Sequence, residues 1–170
     1  MRNSKVKGFT LIELIVVIAI IGVLAAILVP SMLGYVRNAR ISSANANAKT
    51  VNTACAAVLT QASIDGKSVS TGGARLAGPI SKSNMTTVAF GASQLDLSDH
   101  LGSEFDGVGY CVYDAPTYAV KFTTWAKNTD AYTAGGTPTA TSTPPTAAAQ
   151  LSTAKSTGAI IGYHPLTPNS

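Results

Sequence analysis

Gly8-Phe9-Thr10-Leu11-Ile12-Glu13-Leu14, continued by residues 15–29 (IVVIAIIGVLAAILV), is the stretch on which the fold turns. Leu14 to Val29 is sixteen residues without a polar side chain. Extended over Phe9–Leu33 the segment has 25 residues, enough to cross a bilayer as a helix at roughly 1.5 Å per residue. Its large aliphatics, at roughly −0.3 to −0.6 kcal/mol each, outweigh the roughly +2.5 to +3.5 kcal/mol that one acid costs at mid-membrane. The preceding residues, Met1 to Gly8, are polar and carry Arg2, Lys5 and Lys7. That positive flank predicts a cytoplasmic N-terminus with the C-terminal body sent outward. A conventional secretory signal fits poorly, because its apolar region is shorter and is followed closely by a small-x-small site. Here the nearest such sites, Ala44-Asn45-Ala46 and Ala46-Asn47-Ala48, lie beyond Arg37 and Arg40.

The whole chain has 170 residues, about one domain's worth. It is 46% hydrophobic and only 12% charged, which excludes a highly charged disordered chain. The formal charge is +4, but the three leading cations account for most of it. Without them nine Lys and Arg face eight Asp and Glu, so no basic surface marks a dedicated nucleic-acid binder. Two Cys and two His, far apart in sequence, do not form a zinc cage of standard spacing.

The heptapeptide 8–14, with its basic leader and long aliphatic continuation, resembles the prepilin signature of type IV pilins and pseudopilins. The resemblance runs through Gly22 and Pro30 to about Ala62. It implies cleavage between Gly8 and Phe9 by a membrane prepilin peptidase and N-methylation of Phe9. It also implies that Glu13 of an incoming subunit pairs with the Phe9 amine of one already assembled. A charge pair gains more in low dielectric than in water, and an acid at the edge of a membrane span is a functional candidate by default. The plainer alternative is a glutamate resting at headgroup level. Pro30 removes the helical hydrogen bond to the Ala26 carbonyl and bends the helix. In assembled filaments of this family, the segment equivalent to Gly22–Pro30 loses helical structure; an ordinary tolerated kink is the alternative.

Past the apolar run, Ile41, Ala44, Ala48, Val51, Cys55, Val58 and Ala62 recur every three or four residues. They predict one apolar stripe on a continuing amphipathic helix, ended by the turn pair Asp65-Gly66. Phe9 to Ala62 spans about 80 Å if wholly helical. The predicted organisation is a leader at 1–8, a transmembrane and polymerisation helix at 9–33, and an amphipathic outer half at 34–65. A β-rich globular domain follows at 66–170.

Within that domain, Ser68–Met85 reads as a loop, Thr86–Phe90 as a short strand, and Ser93–Leu101 as a helical turn capped by Ser93. Gly107–Asp114 and Thr117–Ala126 are the strongest strands, joined at Ala115-Pro116, and Gly158–Tyr163 is a further candidate. A helix followed by strands predicts an α+β fold, with an antiparallel sheet packed on the helix. The pilin resemblance implies that same plan. Thr133–Thr157 is rich in Thr, Ala, Ser and Pro and reads as an exposed loop, either plain or glycosylated. Asn84-Met85-Thr86 matches an N-glycosylation sequon, a weak signal alone.

Asp96, Asp99, Glu104 and Asp106 cluster in sequence but miss calcium-loop spacing. His100 and His164 have no recognisable nucleophile or ligand partner, and no catalytic motif is found. The expectation is therefore a non-enzyme without cofactor or metal. Export would place Cys55 and Cys111 where disulfides persist. A two-residue turn at Ala115-Pro116 pairs Cys111 with Val120 and puts it on the helix-facing side with Val120 and Phe122. A three-residue turn reverses that parity, and two buried thiols are the alternative to a bond.

These readings lead to a structural subunit that polymerises through its N-terminal helix into a type IV pilus serving adhesion, motility or uptake. Its expected partners are other pilin subunits, the prepilin peptidase, the membrane before assembly, the pilus assembly machinery and an unidentified host or surface ligand. Its expected location is the inner membrane as a single-pass protein, then an extracellular filament. A pseudopilin of a secretion or DNA-uptake machine, and a membrane-anchored binding module that never polymerises, are the alternatives.

Overall fold

A computed structural model describes residues 8–69 and 72–167. The chain falls into two compact units, 1–37 and 38–170, and helix α1 (Leu11–Ile64) contributes to both. In the first unit the described residues are helical from Leu11 onward, and their large aliphatic side chains are exposed. α1 contains an 18-residue window apolar enough to cross a membrane, none of it buried.

The second unit is α+β. After the end of α1 come β1 (Ala74–Ser81), β2 (Val88–Phe90), β3 (Ser93–Leu95), α2 (Ser98–Leu101) and β4 (Val108–Asp114). β5 (Ala119–Ala126), α3 (Asp130–Gly135), α4 (Ala147–Thr157) and β6 (Ile161–His164) complete it. Four strands form one antiparallel sheet in the order β1-β4-β5-β6, and β2 and β3 form a separate hairpin. The seven stripe residues Ile41, Ala44, Ala48, Val51, Cys55, Val58 and Ala62 are all buried, joined by Ala54 and Leu59. All of them except Ile41 form one core with Ile80, Phe90, Cys111, Tyr113 and Trp125, so the outer half of α1 lies on the sheet. The helix stops as its sequence indicates: Gly66 takes a left-handed φ of 66°, and the Lys67 amide donates back to the Ala62 carbonyl.

Small residues let helix and sheet approach closely. A Cβ at Gly162 would lie 1.9 Å from the Ala44 carbonyl oxygen, and one at Gly109 would meet both Val51 methyls at 3.2 Å. Polar contacts then fix the register. The Thr123 hydroxyl donates to the Ala48 carbonyl at 2.7 Å within the core. Asn45 accepts the Tyr163 amide at 2.9 Å and exchanges hydrogen bonds with buried Gln150, which also donates to the Ile161 carbonyl. At the other border of the sheet, Asn84 accepts the Ser81 amide and donates to the Pro79 carbonyl. The opposite face of the sheet is covered too: Tyr132 of α3 packs edge-on against Tyr110 and hydrogen-bonds Thr124 and the Val108 carbonyl.

Several expectations need correction. Ser68–Met85 contains β1, a border strand; Pro79 is tolerated there because a border strand need not donate at every residue. Ser93–Leu101 holds β3 and then α2, and the Ser93 hydroxyl bonds the Ser68 carbonyl instead of capping a helix. The β4–β5 connection is Ala115–Tyr118, longer than the predicted pair, with Tyr118 at φ 57°. Cys111 pairs with Thr123, not Val120, because the register shifts between Val112/Phe122 and Tyr113/Val120. The extra residue reverses side-chain parity. Val120 therefore packs toward the α1 core while Phe122 pairs with Val112 on the other parity. Finally, Thr133–Thr157 is not all loop: Thr146 caps α4 through the Ala149 amide, and Gln150 and Ala154 bury one side of it. Its run of alanines after a capping threonine is a strong helix-forming signal.

Candidate functional site

The N-terminal segment is built around one local device. The Thr10 amide and hydroxyl both donate to Glu13 Oε2, at 2.9 and 2.6 Å, while the Glu13 amide donates to Thr10 Oγ1 at 3.4 Å. This reciprocal pattern is a capping box, which satisfies donors that begin a helix without partners. The Thr10-x-x-Glu13 spacing made it legible, yet Thr10 was not among the expected site residues. Glu13 thus has a structural role beside any assembly role. Gly8 and Phe9 precede the helix and are exposed, and a Cβ on Gly8 would meet nothing within 4 Å. α1 stays helical through Gly22 and Pro30, and the Ser31 hydroxyl donates to the Leu28 carbonyl nearby.

The second pair of expected residues meets inside the domain. Cys55 on α1 and Cys111 on β4 are both wholly buried and stand as free thiols close to one another. Burial first, and then the neighbouring Cys55 thiol, push the Cys111 thiol well above its ordinary range.

The acidic run does not converge. Asp96 accepts the Ser98 amide, the Ser98 side chain and then that amide hold its carboxyl below the usual range, and Asp106 pairs with Lys127. Among the described residues no group of three or more His, Cys, Asp or Glu is placed to hold a metal. Partial burial, and then the Lys49 charge, lower the pKa of His164. A cleft of about 300 Å³ bordered by Thr137, Pro138, Ser142, Thr153 and Tyr163 is uncharged.

A long N-terminal helix whose outer half lies on an antiparallel sheet is an α+β plan that matches the type IV pilin fold. Residues 3–29 match the prokaryotic N-terminal methylation motif. A type IV major pilin of Myxococcus xanthus is 46% identical over 52 residues, 31% of this chain and 24% of that protein. A fimbrial protein of Moraxella nonliquefaciens is 60% identical over 38 residues, 22% and 25% of the respective chains. A type IV major pilin of Neisseria gonorrhoeae is 52% identical over 42 residues, 25% and 26%. The matched stretches span about a quarter of the length of these relatives. No solved structure matches the chain. Over its N-terminal third the chain is thus similar to type IV pilins and fimbrial proteins, and its α+β fold matches the pilin plan.

Proposed function

We propose that this chain is a pilin that polymerises through its N-terminal helix into a type IV pilus on the bacterial surface. The observation that carries the reading is the exposed apolar length of α1 with one acid, Glu13, near its start. Such a surface is stable only in lipid or against other helices. Before assembly the subunit sits in the inner membrane with residues 1–8 as a cytoplasmic leader and 9–33 as the spanning helix. Prepilin peptidase cuts between Gly8 and Phe9, and the new Phe9 amine is methylated. Glu13 then pairs with the Phe9 amine of a neighbouring subunit, and Gly22–Pro30 gives the helix room to extend on packing. The assembly machinery and other pilin subunits are its partners, and the domain 66–170 is displayed outward for adhesion, motility or uptake. Relatives named as major pilins and fimbrial proteins favour a pilus over a pseudopilus.

Electron microscopy of wild-type and deletion cells tests this. Surface filaments that vanish on deletion, and that react with an antibody to this chain, are the expected result. Unchanged filaments in the deletion strain, or a chain that stays monomeric in the membrane, overturn it.

A further inference from the structure

The outer half of α1 and strand β4 advance in step. Val51 lies against Gly109, where the lack of a side chain brings the helix close to the strand. Four residues of helix rise about 6 Å, and two residues of strand about 6.6 Å. Moving both forward by those amounts leads from Val51 over Gly109 to Cys55 over Cys111. These are the chain's two cysteines, and each is fully enclosed by the α1 core. Their neighbours on the stripe, Ala44, Ala48, Ala54 and Ala62, show that an alanine fills such positions at this spacing. Size alone therefore does not call for sulfur at both.

We propose that Cys55 and Cys111 are joined in the exported chain by a disulfide that fastens α1 to the interior strand β4. This rests on the export reading above. The co-reactant is a dithiol–disulfide oxidant of the extracytoplasmic compartment, presenting its own disulfide. A thiolate from one cysteine attacks that disulfide and forms a mixed disulfide, releasing one oxidant thiolate. The second cysteine attacks the mixed bond, forming Cys55–Cys111 and releasing the second thiolate. Two electrons pass to the oxidant, and the two thiol protons go to solvent or to its released sulfurs. Only a thiolate is a competent nucleophile, and burial keeps Cys111 protonated once the domain has closed. The bond thus forms while the chain is still open, before helix and sheet seal over it. Once made, it carries tension from α1 directly into a strand flanked on both sides by the sheet.

The test uses full-length protein taken from the membrane fraction. Free thiols are blocked with N-ethylmaleimide in denaturant at lysis, and the protein is then reduced, labelled with iodoacetamide and weighed intact. No maleimide and two carbamidomethyl groups are expected. Two maleimides overturn the bridge, whichever N-terminus is found. The same spectrum reports the terminus, so a chain still beginning at Met1 counts against the export reading separately. In Cys55→Ala, Cys111 should take one maleimide; an unlabelled Cys111 there means that something other than Cys55 blocks it, and the bridge is overturned.

Discussion

The Thr123 hydroxyl, on the second interior strand, donates its hydrogen to the Ala48 carbonyl of α1 at 2.7 Å with no water access. This bond fixes where along the helix the sheet docks. Thr123→Val keeps the shape and removes the donor, and should cost about 1 kcal/mol. Thr123→Ser should recover most of that. Denaturant unfolding of the detergent-solubilised chain, followed by tryptophan fluorescence, reads both.

Gly162 touches helix backbone rather than side chains, so relief requires main-chain movement. Gly162→Ala should destabilise by about 1–3 kcal/mol or more, the range for overpacking. Gly158→Ala is the control: its left-handed φ of 75° is strained for alanine, but open space surrounds it. It should cost about 1–2 kcal/mol through backbone strain alone. Equal thermal midpoints for Gly162→Ala and the unmodified chain would contradict the close approach of Ala44.

Alkali should loosen the domain in a defined way. Burial, with a further push from Cys111 and a smaller opposing effect from Arg75, raises the Tyr113 phenol to about 12. Its unfolded value is about 10, so between these values the unfolded chain gives up a proton that the folded chain keeps. Stability is then full below pH 10 and falls as pH rises toward 12. Tyr132, raised more strongly by burial, acts in the same direction. A shallower pH slope is expected for Tyr113→Phe, measured by denaturant midpoints from pH 9 upward.

Two substitutions separate the roles of Glu13. Thr10→Val removes the side-chain cap but leaves the carboxylate, at a cost of about 1 kcal/mol of helix stability. Glu13→Ala removes both the reciprocal cap and the proposed charge partner of Phe9. Filaments should survive Thr10→Val and be lost in Glu13→Ala, with Glu13→Asp between them. Equal yields from sheared-filament preparations of Thr10→Val and Glu13→Ala would reduce Glu13 to a capping residue.

Processing can be probed without disturbing the fold, because a side chain on Gly8 meets nothing in the protein itself. The mature chain should begin at Phe9 and carry one added methyl group by intact mass. Gly8→Val should retain Met1 and remain in the membrane fraction. A mature start elsewhere would refute the cleavage site.

The sequence exposes the long helix plainly because its stripe, Ile41 to Ala62, is regular and its stop at Asp65-Gly66 is unambiguous. β4 and β5 are equally readable through Tyr, Val, Phe and Thr. β1 is hidden because Gly78 and Pro79 sit inside it, where composition alone says turn. The register of Cys111 was out of reach for a different reason. One extra residue between Val120 and Phe122 changes which side chains share a face, and nothing local announces it. The meeting of Cys55 with Cys111 survives that error because the helix-facing side of β4 is set by its own alternation. Asn45 and Gln150 were unreadable as partners, since their bond depends on α4, which lies far along the chain.

The two asparagines at the borders of the sheet have a consequence for crowding. A border strand offers its outward amides and carbonyls as a template for another chain. Here the Asn45 carboxamide takes the Tyr163 amide and Gln150 takes the Ile161 carbonyl, while Asn84 occupies the Ser81 amide and the Pro79 carbonyl. At these four positions a side chain already stands where the next strand would bind. A neighbouring copy of the domain therefore finds these borders taken at those positions. Sheet-to-sheet fusion, the usual hazard of crowding β-rich protein, is discouraged there.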